Sequence, residues 1–214
     1  MKQAERRNQS TEKLIRAYLE LAAEQGVASI TFDAIGERAG YSRGLAFSKF
    51  GSKDGLLKAV INFLHEEVAR ARDEAHAEAL SGLEALILFC SMHLTPEGEN
   101  KELRAYFVLM SSAVAEQSDM AKHFIASHKR SEEALISIIE RGKADGSVRT
   151  DINAKQTALL IGTQLIGIST QAIIDPDFDK QAIFEALRNQ IADAYGTEKG
   201  RTQARQSMSD LVLS

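Results

Sequence analysis

Residues Thr31–Phe50 of the chain read TFDAIGERAGYSRGLAFSKF. Thr31 and Ser42 each precede a short run that can form a helix, and Thr or Ser at such a position caps the free backbone amides of the first turn. Gly40 lies between the two runs, where a left-handed glycine can end the first helix. The spacing therefore predicts two short helices joined by a tight turn, as a helix-turn-helix requires.

The second short helix, residues 42–50, has two different faces. Ala46 and Phe50 are four residues apart, so both are predicted to point inward. The outer face can enter the major groove of DNA, where Arg43 can donate two hydrogen bonds to a guanine and Leu45 can pack on a thymine methyl. Two packed helices of an ordinary bundle are the alternative interpretation of this pattern. The outer face consists of Arg43, Gly44, Leu45, Phe47 and Ser48.

Apolar residues recur at three- and four-residue spacing along nearly the whole chain, and no stretch alternates apolar and polar residues between turns. This pattern predicts an all-α protein. A helix from Ser10 or Thr11 to Gly26 follows a disordered arm at Met1–Gln9, and a long helix runs from Lys53 to about Ala79. Further helices are predicted at 81–93, 101–117, 119–143, 154–174 and 180–195, with breaks at Pro96–Gly98, Asp145–Gly146 and Asp175–Pro176.

The composition is that of a soluble globular protein, with 44% hydrophobic residues, 26% charged residues and two prolines. The single cysteine, Cys90, cannot form an internal disulfide, and no apolar leader follows Met1, so a cytoplasmic location is expected. Residues 1–60 carry ten Lys and Arg against seven Asp and Glu, a net charge of +3, whereas the remainder carries −7. This asymmetry favours the front of the chain as the part that meets a polyanion.

Residues 14–57 resemble the DNA-binding domain of the TetR family of bacterial transcriptional regulators. The resemblance implies a helix-turn-helix domain followed by a helical ligand-binding and dimerisation bundle. It also implies that Phe47 and Lys53 contact phosphates and that the helix after Ser52 rests its N-terminus on the DNA backbone. The predicted DNA-contacting residues are Thr31, Ser42, Arg43, Gly44, Leu45, Phe47, Ser48, Lys49 and Lys53. The positions that carry the resemblance are Gly26, Thr31, Ile35, Ala39, Gly40, Tyr41, Ser42, Phe47, Phe50, Ser52, Lys53, Leu56 and Leu57.

Three positions depart from the family pattern. Phe47 stands where tyrosine is usual, so a hydroxyl contact to phosphate is missing and Lys49 is a candidate to replace it. Tyr18 and Ala22 exchange the usual small and aromatic residues, which predicts an exchange of volume within one core. Gly36 stands where alanine is usual, at a helix cost of about 1 kcal/mol.

Residues 158–174 of the predicted helix 154–174 are apolar nearly all round, so every side of this helix must be covered by other protein. We expect a homodimer in which this helix and residues 180–195 form a four-helix bundle with their symmetry mates, as in the family, and in which two half-sites about 34 Å apart are read. Packing within one chain and a transmembrane span are the alternatives. The predicted interface residues are Gly162, Ile166, Gly167, Thr170, Ile183, Leu187 and Ile191.

The other helices of the body are the candidate effector site. Gln164 and Gln171 are seven residues apart on one face, and a buried amide needs a partner, which a ligand, a water, a protein group or the second subunit could supply. An ordinary aromatic core is the alternative for the rest. The candidate effector residues are Leu64, Phe89, Cys90, His93, Tyr106, Phe107, Met110, Phe124, His128, Gln164 and Gln171.

No enzyme, cofactor or metal site is predicted. Cys90 and His93 could place two metal ligands on one helix face, but two ligands do not make a site, and nothing orients a base for a cysteine nucleophile. The hypothesis is a homodimeric repressor released from a palindromic operator when a small, largely apolar effector shifts helix 53–79. An activator, a regulator without an effector, a helical scaffold or adaptor, and a small-molecule-binding enzyme are the alternatives. The predicted regions are a DNA-binding domain at 1–52, an effector and dimerisation domain at 53–195, and a frayed polar tail at 196–214.

Overall fold

A computed structural model describes residues 2–27, 29–94, 101–115, 119–175 and 177–212, and within these ranges it contains ten α-helices and no β-strand. The all-α prediction is therefore confirmed. An isolated bridge joins Val148 to Gly196. The helices are α1 (Lys2–Gln25), α2 (Phe32–Ala39), α3 (Arg43–Phe50), α4 (Lys53–Glu74), α5 (Gly82–Leu94), α6 (Lys101–Ala115), α7 (Ala121–Asp145), α8 (Ala154–Ile174), α9 (Lys180–Tyr195) and α10 (Glu198–Val212).

The two ends of the chain differ from the prediction. Helix α1 begins at Lys2 rather than at Ser10, so the prediction of a disordered arm is wrong. Residues 2–9 include strong helix formers and neither glycine nor proline, so the helix continues upstream of the expected cap. The tail predicted to be frayed forms α10, and Ala204 is buried in a core. The sequence pattern missed this because residues 198–207 contain one apolar side chain, that of Ala204, which is too few to mark a helix face.

Most internal boundaries agree with the prediction, and α8 and α9 have the predicted bounds. Helix α4 ends at Glu74, five residues early, because His76 adopts a left-handed backbone (φ 49°) before a short 3₁₀ turn at Ala77–Ala79. Gly146 (φ 76°) ends α7 at the predicted break. The breaks expected at Pro96–Gly98 and at Pro176, and the end of α6 expected at Gln117, lie outside the described residues.

The chain divides into two compact units. The first consists of Met1–Val68 and Glu99–Ser127, and the second of Ala69–Gly98 and His128–Ser214. Each unit is therefore discontinuous in sequence, and α4 and α7 each contribute residues to both. The functional division at residues 52 and 195 remains a prediction.

The core of the first unit is built on α1, which packs against α2 and α6. Buried side chains of α1, such as Leu14 and Tyr18, meet those of α4 and α6, such as Leu57 and Leu109. Tyr18 and Ala22 both lie in this core, which fits the predicted exchange of volume, and burial raises the pKa of Tyr18 to about 12. The short helices α2 and α3 add Ile35 and Ala46 to the same core, so they are held by tertiary packing.

The second unit has its own core, formed by α5 and α7–α10. At one end the loop after α7 is held tightly: the Asp145 carboxylate accepts hydrogen bonds from the amides of Gly82 and Ser147, each at 2.8 Å. The Ser147 hydroxyl, fully buried, accepts from the Leu83 amide at 3.1 Å. This loop therefore caps the N-terminus of α5, where four backbone amides lack partners in the helix. Helix α10 joins the same end, since the Ser207 hydroxyl donates to the Glu84 carboxylate.

Candidate nucleic-acid interface

Both helices of the predicted motif begin and end as the sequence indicated. The Thr31 hydroxyl accepts a hydrogen bond from the Ala34 amide at 3.2 Å, and the Ser42 hydroxyl accepts one from the Leu45 amide at 3.3 Å. Gly40 has φ 74° and ends α2, and Gly51 has φ 70° after α3. Local side-chain to backbone bonds thus set the start of each helix.

Gly36 explains how the turn packs against α2. The Tyr41 amide donates to the Gly36 carbonyl at 2.7 Å. A Cβ atom at Gly36 would lie 2.8 Å from the Tyr41 carbonyl oxygen and 3.0 Å from the carbonyl carbon of Ser42. From the sequence, this glycine was predicted only to lower helix stability. In the structure it allows a close backbone contact, which an alanine side chain would force apart.

Helix α3 presents most of its predicted outer face to solvent. Ala46 is fully buried and Phe50 is half-buried against the first core. Arg43, Gly44, Phe47 and Ser48 are exposed, as predicted. Leu45 is the exception, because it is half-buried and packs against the same core.

Two residues of α2 hold the exposed side chains of α3. The Arg43 guanidinium forms an ion pair with the Asp33 carboxylate at 3.4 Å, and both side chains are exposed. The Phe47 ring is 55% exposed and meets the edge of the Phe32 ring, with centroids 5.6 Å apart and planes at 86°. Asp33 and Phe32 were not among the predicted residues, since only the packing of α2 on α3 brings them to these side chains.

Ser48 and Lys49 are engaged within the chain. The Ser48 hydroxyl donates to the Leu45 carbonyl at 2.9 Å. The Lys49 ammonium donates to the Thr11 hydroxyl of α1 at 3.0 Å. This hydrogen bond to α1 was not predicted from the sequence. It would have to break before Lys49 could contact a phosphate in place of the missing tyrosine hydroxyl.

The N-terminus of α4 forms the second part of the predicted surface. The Ser52 hydroxyl accepts a hydrogen bond from the Gly55 amide at 3.0 Å, and Lys53 is exposed in the first turn. Asp54 is linked to α7, because its Oδ1 lies 2.8 Å from His123 Nε2 and 3.3 Å from Lys122 Nζ. The hydrogen bond with His123, and more weakly the one with Lys122, holds the pKa of Asp54 below its ordinary value. The carboxylate next to the predicted phosphate contact therefore has two basic neighbours.

The predicted effector residues fall into two groups. Leu64, Tyr106, Phe107, Met110 and Phe124 lie in the first unit, where the Tyr106 ring meets Phe107 and Phe124 edge to face at 5.6 and 5.3 Å. Phe89, Cys90, His93, His128, Gln164 and Gln171 lie in the second unit.

A polar cluster accompanies the first group of predicted effector residues. The buried Ser127 hydroxyl lies 2.8 Å from His65 Nε2 and 3.1 Å from the Tyr106 hydroxyl. His65 and Ser127 were not among the predicted residues, because they are 62 positions apart and only the packing of α4 on α7 brings them together.

The second group contains the two glutamines of α8 and the single cysteine. Gln171 is exposed, and Gln164 donates to the Gln190 side chain at 3.2 Å at an exposed site. Gln164 thus has a protein partner, one of the alternatives given above, whereas Gln171 faces outward on this chain, and a role of either amide in effector binding stays a prediction. Cys90 is buried and its pKa is raised to about 12 by burial, so the thiol stays protonated and is a poor nucleophile. No cluster of three or more metal-binding side chains occurs in the described ranges.

Helix α8 has one buried and one exposed side. Ala158, Ile161 and Leu165 lie in the second core, whereas Leu160 is 57% exposed. By length and composition α8 could cross a membrane, but its core side chains and its glutamines favour a helix of a packed protein. The exposed positions repeat every three or four residues, so they form one stripe. We name this stripe the α8 surface; it consists of Leu160, Thr163, Gly167, Gln171 and Ile174.

The predicted dimer residues are only partly on that surface. Gly167 is exposed, and Gly162, Ile166, Thr170 and Ile183 are half-buried. Leu187 and Ile191 are buried in the core of their own chain, where they pack with α5 residues. Their assignment to an interface is therefore wrong, since the apolar stripe of α9 is used inside the unit.

Comparisons with known proteins agree with this geometry. Residues 14–60 match the family model for bacterial regulatory proteins of the tetR family. The HTH-type transcriptional regulator BetI of Stenotrophomonas maltophilia is 39% identical over 80 residues, which are 36% of this chain and 41% of that protein. The chain thus matches about two fifths of the length of this curated relative.

Solved structures share the fold over most of the chain. NalD, the secondary repressor of the MexAB-OprM multidrug efflux pump in Pseudomonas aeruginosa, has a TM-score of 0.68 and 16% identity over 89% of this chain and 99% of that one. A SmeT complex with triclosan has a TM-score of 0.71 and 18% identity over 88% of this chain and 92% of that one.

The local geometry and the comparisons agree on the helix-turn-helix segment. The matched family consists of bacterial regulatory proteins, and the relative is a transcriptional regulator. The capped α2 and α3, the glycine turn between them and the match over residues 14–60 lead to one conclusion: this segment is similar to the bacterial regulatory proteins of the tetR family.

Proposed function

We propose that the protein is a cytoplasmic, homodimeric transcriptional repressor that binds a palindromic operator and is released by a small, largely apolar effector. The single observation that carries this proposal is the outer face of α3, where Arg43 and Phe47 are exposed while Ala46 is buried beneath them. Such a helix can enter a major groove without disturbing the core that holds it.

The α8 surface supports the dimer. A single helix-turn-helix reads a short half-site, and two copies are needed to compete with bulk DNA. A Cβ atom at Gly162 or Gly167 would have nothing within 4 Å among the described residues, so a second helix can approach closely there. The exposed Leu160 and Ile174 supply apolar area for that contact.

The link between α4 and α7 supports the coupling of effector to operator. Phe124, a predicted effector contact, follows His123 directly in α7, and His123 holds Asp54 in the first turn of α4. A ligand that displaces α7 at Phe124 would therefore move the turn that carries Lys53. A coupling of about 1–3 kcal/mol would lower operator affinity by about 5- to 150-fold.

The first experiment selects bound fragments from genomic DNA and measures their affinity by fluorescence anisotropy at several salt concentrations. We expect affinity to fall steeply with salt, because phosphate contacts release counterions. Arg43→Ala should reduce discrimination between operator and unrelated duplex, whereas Lys53→Ala should weaken both alike. Arg104→Ala, an exposed arginine on α6, is the control. A chain that binds every duplex weakly and equally, or none, is instead a helical scaffold or adaptor.

The second experiment tests release. Operator affinity is measured with and without small apolar compounds, with triclosan included because the SmeT structure contains it. A compound that binds the chain should weaken operator binding by about 5- to 150-fold. A compound that binds tightly and leaves that affinity unchanged contradicts the switch.

A further inference from the structure

Phe47 is an apolar ring on the part of α3 predicted to face DNA. It is 55% exposed, and it is the one large hydrophobic side chain among the described residues of α2 and α3 that is mostly exposed. Phenylalanine has no group that donates to or accepts from a phosphate oxygen. The role that the family resemblance implies for this position, a phosphate contact, therefore does not suit the residue that this chain carries.

The ring is held in position before any DNA arrives. Phe32, the first residue of α2, presents its ring edge at 5.6 Å and nearly perpendicular to that of Phe47. Phe32 is itself half-buried and packs against the first core. An aromatic pair of this geometry is stabilising beyond the area it buries, so the exposed part of the Phe47 ring has a defined direction.

Arg43 and Phe47 lie on the same side of α3, because residues four apart are neighbours on a helix surface. Four residues advance a helix by about 6 Å, and base pairs are stacked about 3.4 Å apart. The two side chains can therefore reach base pairs one or two steps apart. In the major groove, the apolar group on a base edge is the C5-methyl of thymine.

Leu45 was the residue expected to contact a thymine methyl, but the structure turns it partly into the core. Phe47 is the side chain that has both the chemistry and the exposure for this contact. We propose that Phe47 reads a thymine methyl in each operator half-site, one or two base pairs from the guanine bound by Arg43. This inference rests on the proposed operator binding.

The test uses operator duplexes in which single thymines of both half-sites are replaced by deoxyuridine, which lacks only the methyl group. Affinities are measured by fluorescence anisotropy for the full-length wild type, Phe47→Ala and Phe47→Leu. We expect one substituted position to weaken wild-type binding about fourfold per half-site, the effect of one buried methyl group. The same position should have no effect on Phe47→Ala and a reduced effect on Phe47→Leu.

The outcomes separate this inference from the proposed function. If the wild type binds the operator but no thymine position depends on Phe47, because the deoxyuridine effect is absent or persists in Phe47→Ala, the methyl contact is refuted and operator binding stands. If neither the operator nor any other duplex is bound, the proposed function fails as well. Unchanged circular dichroism and melting temperature in both variants establish that lost discrimination is not lost folding. If Phe47→Ala has a lower melting temperature than the wild type, the methyl contact is judged from the deoxyuridine effect in Phe47→Leu.

Discussion

Gly36 in the helix-turn-helix and Gly167 in α8 both lack a side chain, but their surroundings differ. At Gly36 the backbone of Tyr41 and Ser42 lies within about 3 Å of where a Cβ would be, whereas at Gly167 no described atom lies within 4 Å. The first glycine is explained by contacts inside its own unit. No contact within the described chain explains why the second position is glycine. A surface that packs against a second subunit would have this property.

The same contrast holds for apolar side chains. The short helices α2 and α3 bury Ile35 and Ala46 within the first unit, so their stability is accounted for by that unit. The α8 surface leaves Leu160 and Ile174 exposed. Four experiments test this difference between the two units, and their expected effects decrease from the first to the last.

The largest effect is expected at the α8 surface. In Leu160→Glu, a carboxylate would have to be buried without a partner if a second subunit covers this position, which costs about 3–5 kcal/mol. The dissociation constant of the dimer should therefore rise more than a hundredfold, as measured by sedimentation velocity over a range of concentrations. Ile125→Glu, at an exposed apolar residue of the first unit, is the control. Equal effects of the two variants would contradict the proposed interface.

Gly36→Ala should destabilise the chain although alanine is the better helix former. The new Cβ would meet the Tyr41 carbonyl at 2.8 Å, and relieving such a contact costs about 1–3 kcal/mol, against a gain of about 1 kcal/mol in helix propensity. Urea unfolding of the full chain measures the net change.

The matched control for Gly36→Ala is Gly44→Ala in α3. There a Cβ would meet only the Ser42 hydroxyl, at 3.9 Å. The gain in propensity should therefore appear as up to about 1 kcal/mol of added stability. A Gly36→Ala variant as stable as Gly44→Ala would show that the turn moves aside at no cost.

A third effect is expected on acidification, in the second unit. Burial lowers the pKa of His93 and of His128. Below the ordinary histidine pKa of about 6.5, the unfolded chain therefore binds protons that the folded chain does not. Stability should fall as the pH drops from about 7 to 5.

His93→Asn isolates this contribution, since asparagine can still donate to the Phe89 carbonyl that His93 Nδ1 contacts at 2.8 Å. The difference in melting temperature between pH 7.5 and pH 5.0 should be smaller in His93→Asn than in the wild type. His76→Asn, at an exposed left-handed position that asparagine also tolerates, is the control substitution. An unaltered pH dependence in His93→Asn would refute the assignment.

The smallest effects are expected at two helix caps, one in each unit. Thr31 caps α2, and Asn153 caps α8 by accepting a hydrogen bond from the Gln156 amide at 3.0 Å. Replacement of either residue with alanine should cost about 1 kcal/mol. The two losses should add in the double variant, because the sites share no partner. Differential scanning calorimetry of the three variants checks this, and a loss in the double variant well beyond the sum would mean that the two units are coupled.

The sequence was informative where a residue acts on its own neighbourhood. The caps at Thr31 and Ser42 and the left-handed Gly40 bond to backbone groups three or four residues away, so their spacing predicts them. The ion pair of Asp33 with Arg43 and the bond of Lys49 to Thr11 depend on how helices meet, and spacing carries no signal for that. The assignment of Leu187 to an interface failed for the same reason, since periodicity shows that a stripe is apolar but not what covers it.

The discontinuous first unit has a consequence for recombining this protein with its relatives. Helix α1 is covered partly by α6, through residues such as Ala105 and Leu109. These residues lie forty or more positions downstream of α3 in the sequence. A chimera that exchanges only residues 1–60 would join a donor's first helix to a recipient's α6, two surfaces that never adapted to each other. Operator specificity should therefore be transferred best when α6 is exchanged together with residues 1–60, or when only the outward residues of α3 are grafted.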